Sequence, residues 1–245
     1  REVVFVLDTS GSMSGWSFYS AIRALRVALE RLDPGDTFNV IAFSSQARQL
    51  FRTALPATSK NIAKAISSIE SLDAEGGTEM LSALKLALRN TDSDERVRQV
   101  VFITDGAVGN ESRLFDYISR RIGKSRLFTV GIGSAPNGHF MKRAAVAGRG
   151  TYTYIGTAEE VHEKMSTLFT RLETPMLTDI RLHWQGQPPE TYPAPLPDLY
   201  AGETLVVVVK AKDLGQRLSI TGMRSGMQWR QSVSLEDGIA KSGVA

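Results

Sequence analysis

The chain has 245 residues, 42% of them hydrophobic and 22% charged, with a net charge of +3. That is ordinary globular composition, and the length suits one full domain with a smaller one. The dispersed Lys and Arg exclude the basic stripe of a nucleic-acid site, and the absence of cysteine excludes disulfides, thiolate metal sites and cysteine nucleophiles.

The chain opens without an initiator Met, directly in the apolar run Val3-Val4-Phe5-Val6-Leu7, so it is expected to be part of a longer protein. A buried strand over 3–7 leads into Asp8-Thr9-Ser10-Gly11-Ser12-Met13. Phe18, Ile22, Leu25, Leu29 and Leu32 then mark one face of a helix. Strands are expected at 37–43 and 47–51, the second so close behind the first that it must return as an antiparallel edge. Ile62, Ile66, Ile69 and Leu72 predict a helix, followed by the loop Glu75-Gly76-Gly77-Thr78-Glu79 and a helix carrying Leu81, Leu84 and Leu88. A strand at 99–104 ends in Thr104-Asp105-Gly106. Leu114, Ile118 and Ile122 predict a helix, and strands follow at 127–132 and 151–155. Val161, Met165, Leu168 and Leu172 predict the last helix, opened by a capping box from Thr157 to Glu160.

Strands alternating with helices imply an α/β fold: a doubly wound, mostly parallel six-stranded sheet with helices on both faces, over residues 1–173. The pattern changes at Glu173-Thr174-Pro175. Residues 174–245 read as a small C-terminal antiparallel β unit with strands at 178–184, 204–211, 217–221 and 227–235, the first two separated by the Pro-rich stretch 188–197. So small a unit is marginal alone and is expected to pair with a segment outside this sequence. No stretch of about 18 apolar residues exists to span a membrane.

In an open α/β sheet, ligands bind beyond the carboxyl ends of the strands where strand order reverses. Asp8, Ser10 and Ser12 follow the first strand at every second position, Asp105 follows the strand at 99–104, and the paired glycines of the intervening loop present Thr78. Gly11 is expected to let the first loop bend between the serines. Two carboxylates and three hydroxyls suit a hard dication such as Mg²⁺, with Mn²⁺ or Ca²⁺ as alternatives. So few negative charges leave the ion electrophilic toward an incoming carboxylate. Taken singly, Ser10 and Ser12 read more readily as caps of the following helix than as ligands, and Asp105-Gly106 reads equally well as a turn.

Asp8-x-Ser10-x-Ser12, with Thr78 and Asp105, resembles the metal-ion-dependent adhesion site of von Willebrand factor A domains, a resemblance covering residues 1 to about 173. The runs from Leu32 to Val40, from Gly76 to Met80 and from Leu199 to Glu203 are similar to the vault/inter-alpha-trypsin group, including inter-alpha-trypsin inhibitor heavy chains and bacterial surface relatives. The resemblance implies that Asp8, Ser10, Ser12, Thr78 and Asp105 hold the metal and that a partner protein's Asp or Glu completes its shell. It also implies an exported or cell-surface setting. The alternative it leaves open is an intracellular scaffold subunit of an ATPase, chaperone-type or metal-insertion machine.

Enzyme patterns fit poorly. A phosphatase nucleophile loop needs a carboxylate where Ser10 stands, and no P-loop or serine-hydrolase elbow occurs. Gly131-Ile132-Gly133-Ser134-Ala135-Pro136 has Pro at the third glycine of a dinucleotide fingerprint, and the scattered His139, His162 and His183 offer no positioned base. A non-catalytic protein-binding module is expected.

Overall fold

The computed structural model describes residues 1–89, 98–106, 110–134, 136–173, 175–200, 204–210, 217–224 and 227–235. They divide into two compact units, Arg1–Glu173 and Thr174–Ala245.

In the first unit the elements run β1 (Glu2–Asp8), α1 (Trp16–Glu30), β2 (Thr37–Phe43), β3 (Ala47–Gln49), β4 (Leu55–Pro56), α2 (Ser59–Glu70), α3 (Met80–Ala87), β5 (Arg98–Thr104), α4 (Glu111–Arg121), β6 (Arg126–Ile132), α5 (Gly138–Ala147), β7 (Arg149–Ile155) and α6 (Glu160–Glu173). Strand order is β3-β2-β1-β5-β6-β7. β1 lies between β2 and β5, parallel to both. The chain winds one way from β1 to β2, then crosses back to β5, so the β1/β5 boundary is the topological switch point.

β1 is buried along its whole length. Val4 and Val6 join Phe43, Phe102, Leu84, Leu114 and Met141 in the core beneath α3, α4 and α5. Phe5 points the other way and stacks on Phe169 of α6 at 6.1 Å. A strand covered on both faces must be apolar at every position, which is why its sequence reads as an unbroken run.

The first unit differs from expectation in three places. β3 is the antiparallel edge that the spacing predicts, but the two-residue β4 also pairs with β2 and makes a seventh strand. Leu55-Pro56 is too short to show any periodicity. Helix α5 has no counterpart in the sequence reading: its buried face is Phe140, Met141, Ala144 and Ala145, and alanines give a weak hydrophobic stripe. Its signal was the cap, since the Asn137 side chain accepts from the Phe140 amide at 3.1 Å. At α6, Glu160 accepts from the Gly156 amide at 2.9 Å, one residue ahead of the capping-box position.

The second unit holds β8 (Pro175–Trp184), β9 (Glu190–Tyr192), β10 (Leu199–Tyr200), β11 (Val208–Lys210), β12 (Arg217–Arg224) and β13 (Met227–Ser234). Among the described residues these form a four-stranded sheet, β10-β8-β12-β13, and a two-stranded one, β11-β9, with antiparallel pairing throughout. β9 falls inside the Pro-rich stretch expected to be only a separator. The strand expected over 204–211 is confined to Val208–Lys210. Its last residue, Ala211, lies outside the described residues, as do Ala201, Gly202 and Glu203 of the quoted run.

Candidate metal centre

Asp8 is the last residue of β1 and is fully buried, as are Ser10 and Thr104. One carboxylate oxygen of Asp8 accepts from the Ser10 amide at 2.9 Å. The other accepts from the Thr104 hydroxyl at 2.5 Å. Thr104 in turn accepts from the Gly106 amide at 2.9 Å. The parallel pairing of β1 with β5 makes this possible, because it sets Leu7 opposite Ile103 at the same end of both strands. Sequence reasoning gave Thr104 no role. Its only signal was a hydroxyl at the closing position of an apolar strand, just before the candidate Asp105.

The serines do not cap the following helix. Ser10 precedes a short 3-10 turn, Gly11–Met13, without a side-chain capping bond. α1 starts at Trp16 behind Gly15, also without one. Instead the Ser10 and Ser12 hydroxyls lie 3.1 Å apart, Ser10 buried and Ser12 exposed. The glycine that lets the loop turn is also not the expected one: Gly15 has a φ of 86°, whereas Gly11 has no left-handed φ and donates its amide to the Gly76 carbonyl at 3.0 Å.

That bond is one of several tying the loop around Gly76 to the first loop and to the turn after β2. The Glu75 amide donates to the Thr9 carbonyl at 2.8 Å, and the Glu79 amide to the Ser44 carbonyl at 2.7 Å. The Gly77 amide donates to the Ser45 hydroxyl at 2.8 Å. Gly76 sits at φ 80°, and a Cβ there would approach Ser45 Oγ to 2.9 Å, so glycine is required on both counts. Thr78 follows, half-buried, and its hydroxyl has no hydrogen-bond partner among the described residues. On the third loop the Asp105 carbonyl accepts from the Asn137 amide at 3.2 Å, with Asp105 half-buried.

Burial is the chief influence on Asp8 and pushes its carboxyl above the ordinary range. Hydrogen bonds from Ser10 and Thr104 pull it back, and the nearby Asp105 charge adds a smaller upward push. No lysine or arginine forms an ion pair with Asp8 among the described residues. A buried carboxylate without a cation is costly unless an ion supplies the missing charge. Among the described residues no group of three or more His, Cys, Asp or Glu is placed to hold a metal. An ion at this site would therefore take most of its protein ligands from hydroxyls. The donor set is hard oxygen only, which fits Mg²⁺ chemistry.

Fold and loops together define a doubly wound α/β domain with an oxygen-rich cluster at its switch point. The chain belongs to the von Willebrand factor type A domain family, which it matches over residues 1–154. It is 33% identical over 184 residues to a von Willebrand factor A domain-containing protein of Dictyostelium discoideum, covering 75% of this chain and 20% of that protein. It is 28% identical over 250 residues to human inter-alpha-trypsin inhibitor heavy chain H4, covering 96% of this chain and 27% of that protein. The chain thus spans about a fifth to a quarter of these relatives' lengths. Among solved structures, a von Willebrand factor type A protein from Catenulispora acidiphila superposes with a TM-score of 0.74 at 22% identity, over 96% of this chain and 65% of that one. Proximal thread matrix protein 1 of the mussel byssus, with a zinc-occupied metal-ion-dependent adhesion site motif, superposes with a TM-score of 0.56 at 17% identity, over 68% and 44%.

Proposed function

We propose that this domain binds a partner protein through a divalent cation held by Asp8, Ser10, Ser12, Thr78 and Asp105. The observation that carries the reading is Asp8: fully buried, raised by burial, and without a cationic partner among the described residues. Ser10 and Ser12 support it, since their hydroxyls are turned to each other and cap no helix. The zinc-occupied motif of the mussel protein shows that a fold of this kind can carry a metal. With hard oxygens throughout, Mg²⁺ is the preferred ion, and Mn²⁺ or Ca²⁺ would enter the same ligand set.

A bound ion would supply a Lewis-acidic centre with a coordination position for an acidic side chain. Two carboxylates balance its charge and the hydroxyls add none, so an Asp or Glu of the partner is the favoured ligand. The role is binding, not turnover, in an exported or cell-surface protein. Protease accessibility on intact cells tests the setting, and full protection would favour an intracellular scaffold. For the site, calorimetry should show Mg²⁺ uptake by the native chain and none by Asp8→Ala or Asp105→Ala, with circular dichroism unchanged. Equal uptake by all three would remove the assignment.

A further inference from the structure

The neighbourhood of Thr78 extends into a groove. A cleft of about 210 Å³ is lined by Thr78, Glu79, Leu81, Asn110, Arg113 and Leu114. A second, of about 240 Å³, is lined by Leu81, Lys85, Arg113, Asp116, Tyr117 and Arg120. Leu81 and Arg113 line both, so the two adjoin as one shallow groove running from Thr78 along α3 and α4. Helical spacing builds its walls: Leu81 and Lys85 are one turn apart on α3, while Arg113, Tyr117 and Arg120 share a stripe of α4.

The charges in this groove are unequally satisfied. Asp116 lies 4.0 Å from Arg120, and Glu79 stands at the Thr78 end. Lys85 and Arg113 are exposed and have no ion pair among the described residues. Two cations thus face one groove whose sides include Leu81, Leu114 and Tyr117. Lysine and arginine stems cover apolar surface well, leaving their charged ends available to an incoming acid.

We infer that the α3–α4 groove receives the partner segment that follows the metal-bound acid, and that Arg113 and Lys85 pair with a second carboxylate on that segment. The inference rests on the metal-site reading above. Lys85 lies roughly 8 Å along α3 from Met80 at 1.5 Å per helical residue, and Thr78 stands two residues before the helix. An extended peptide covers that distance in about three residues. The recognised sequence therefore carries two acids about three residues apart, with apolar residues between them against Leu81 and Tyr117.

The test uses a displayed library of extended peptides with one fixed Asp, selected on the 245-residue chain in Mg²⁺ and released with EDTA. Enrichment of Asp or Glu three or four residues from the fixed Asp is expected. A synthetic peptide of that pattern should bind roughly fivefold more weakly to Arg113→Gln or to Lys85→Gln, the effect of an exposed ion pair. Arg113→Lys should restore most of the binding. Mg²⁺ uptake and thermal melts of these exposed variants should match the native protein. Selected peptides without a second acid, binding to both Gln variants as tight as to the native chain, or no EDTA-sensitive enrichment while Mg²⁺ still binds would each overturn the groove and leave the metal site standing. Failure of the native chain to take up Mg²⁺ would instead overturn both readings.

Discussion

A carboxylate with no exposed surface and no cationic partner among the described residues, such as Asp8, is costly to keep ionised. Burial raises its folded-state pKa above the ordinary value of 3.8, despite the donors on both oxygens. Asp8 therefore favours folding least at neutral pH, and that penalty fades as pH falls through the folded-state pKa toward 3.8. Asp8→Asn, which cannot ionise, should raise the melting temperature of the metal-free protein at pH 7 by about 2–4 °C, on the order of 1 kcal/mol. It should also abolish the melting shift that Mg²⁺ produces in the native chain. A lower metal-free melting temperature for this variant would contradict the desolvation account. In the native protein Mg²⁺ affinity should weaken as pH drops into the same window, because protons compete for Asp8; titrations taken from about pH 7.5 down toward 3.8 check this. Thr104 orients that carboxylate from the neighbouring strand. Thr104→Val should weaken Mg²⁺ binding roughly tenfold and cost about 1–2 kcal/mol of stability, with Thr104→Ser retaining most of both by calorimetry and urea unfolding. The alternating oxygens of Asp8, Ser10 and Ser12 were legible because their spacing is local. The role of Thr104 was not, because its partner lies 96 positions away and is set by strand register.

At the scale of elements, an apolar run such as β1 or a wide stripe such as that of α1 declares itself in the sequence. α5 buries small alanines, and β4 has only two residues, so neither leaves a periodic trace. Loop conformation was legible only in part: the paired glycines marked a tight turn correctly, while the first loop takes its left-handed residue at Gly15 and not at Gly11. Gly76→Ala tests what that tight turn does. With φ at 80° and Ser45 Oγ 2.9 Å from the added methyl, it should cost about 1–3 kcal/mol in urea unfolding. Displacement of Thr78 should also weaken Mg²⁺ binding in calorimetry. Gly77→Ala, whose φ is not left-handed and whose nearest atom is 3.5 Å away, should be much milder.

For the whole molecule, the division at Glu173 assigns all five proposed ligands to the first unit. A chain ending at residue 173 should therefore melt cooperatively and show the same Mg²⁺-induced shift as the full sequence, measured by scanning calorimetry. Loss of that shift in an otherwise folded fragment would mean that ion binding draws on residues beyond Glu173. The composition change at Glu173-Thr174-Pro175 made the division legible. The strand plan of the second unit was read less well, since β9 hides within a proline-rich stretch and β10 has only two residues.

Asp8 closes the innermost strand, and β1 is zipped to a parallel neighbour along both edges. Tension applied through a ligand at this carboxylate would enter the sheet at a strand hydrogen-bonded along both edges. Extracting β1 along its axis would shear both rows of backbone hydrogen bonds together instead of peeling them singly. If the proposed ion is held here, a steady pull through its ligand should break the link between ligand and ion before it unfolds the sheet.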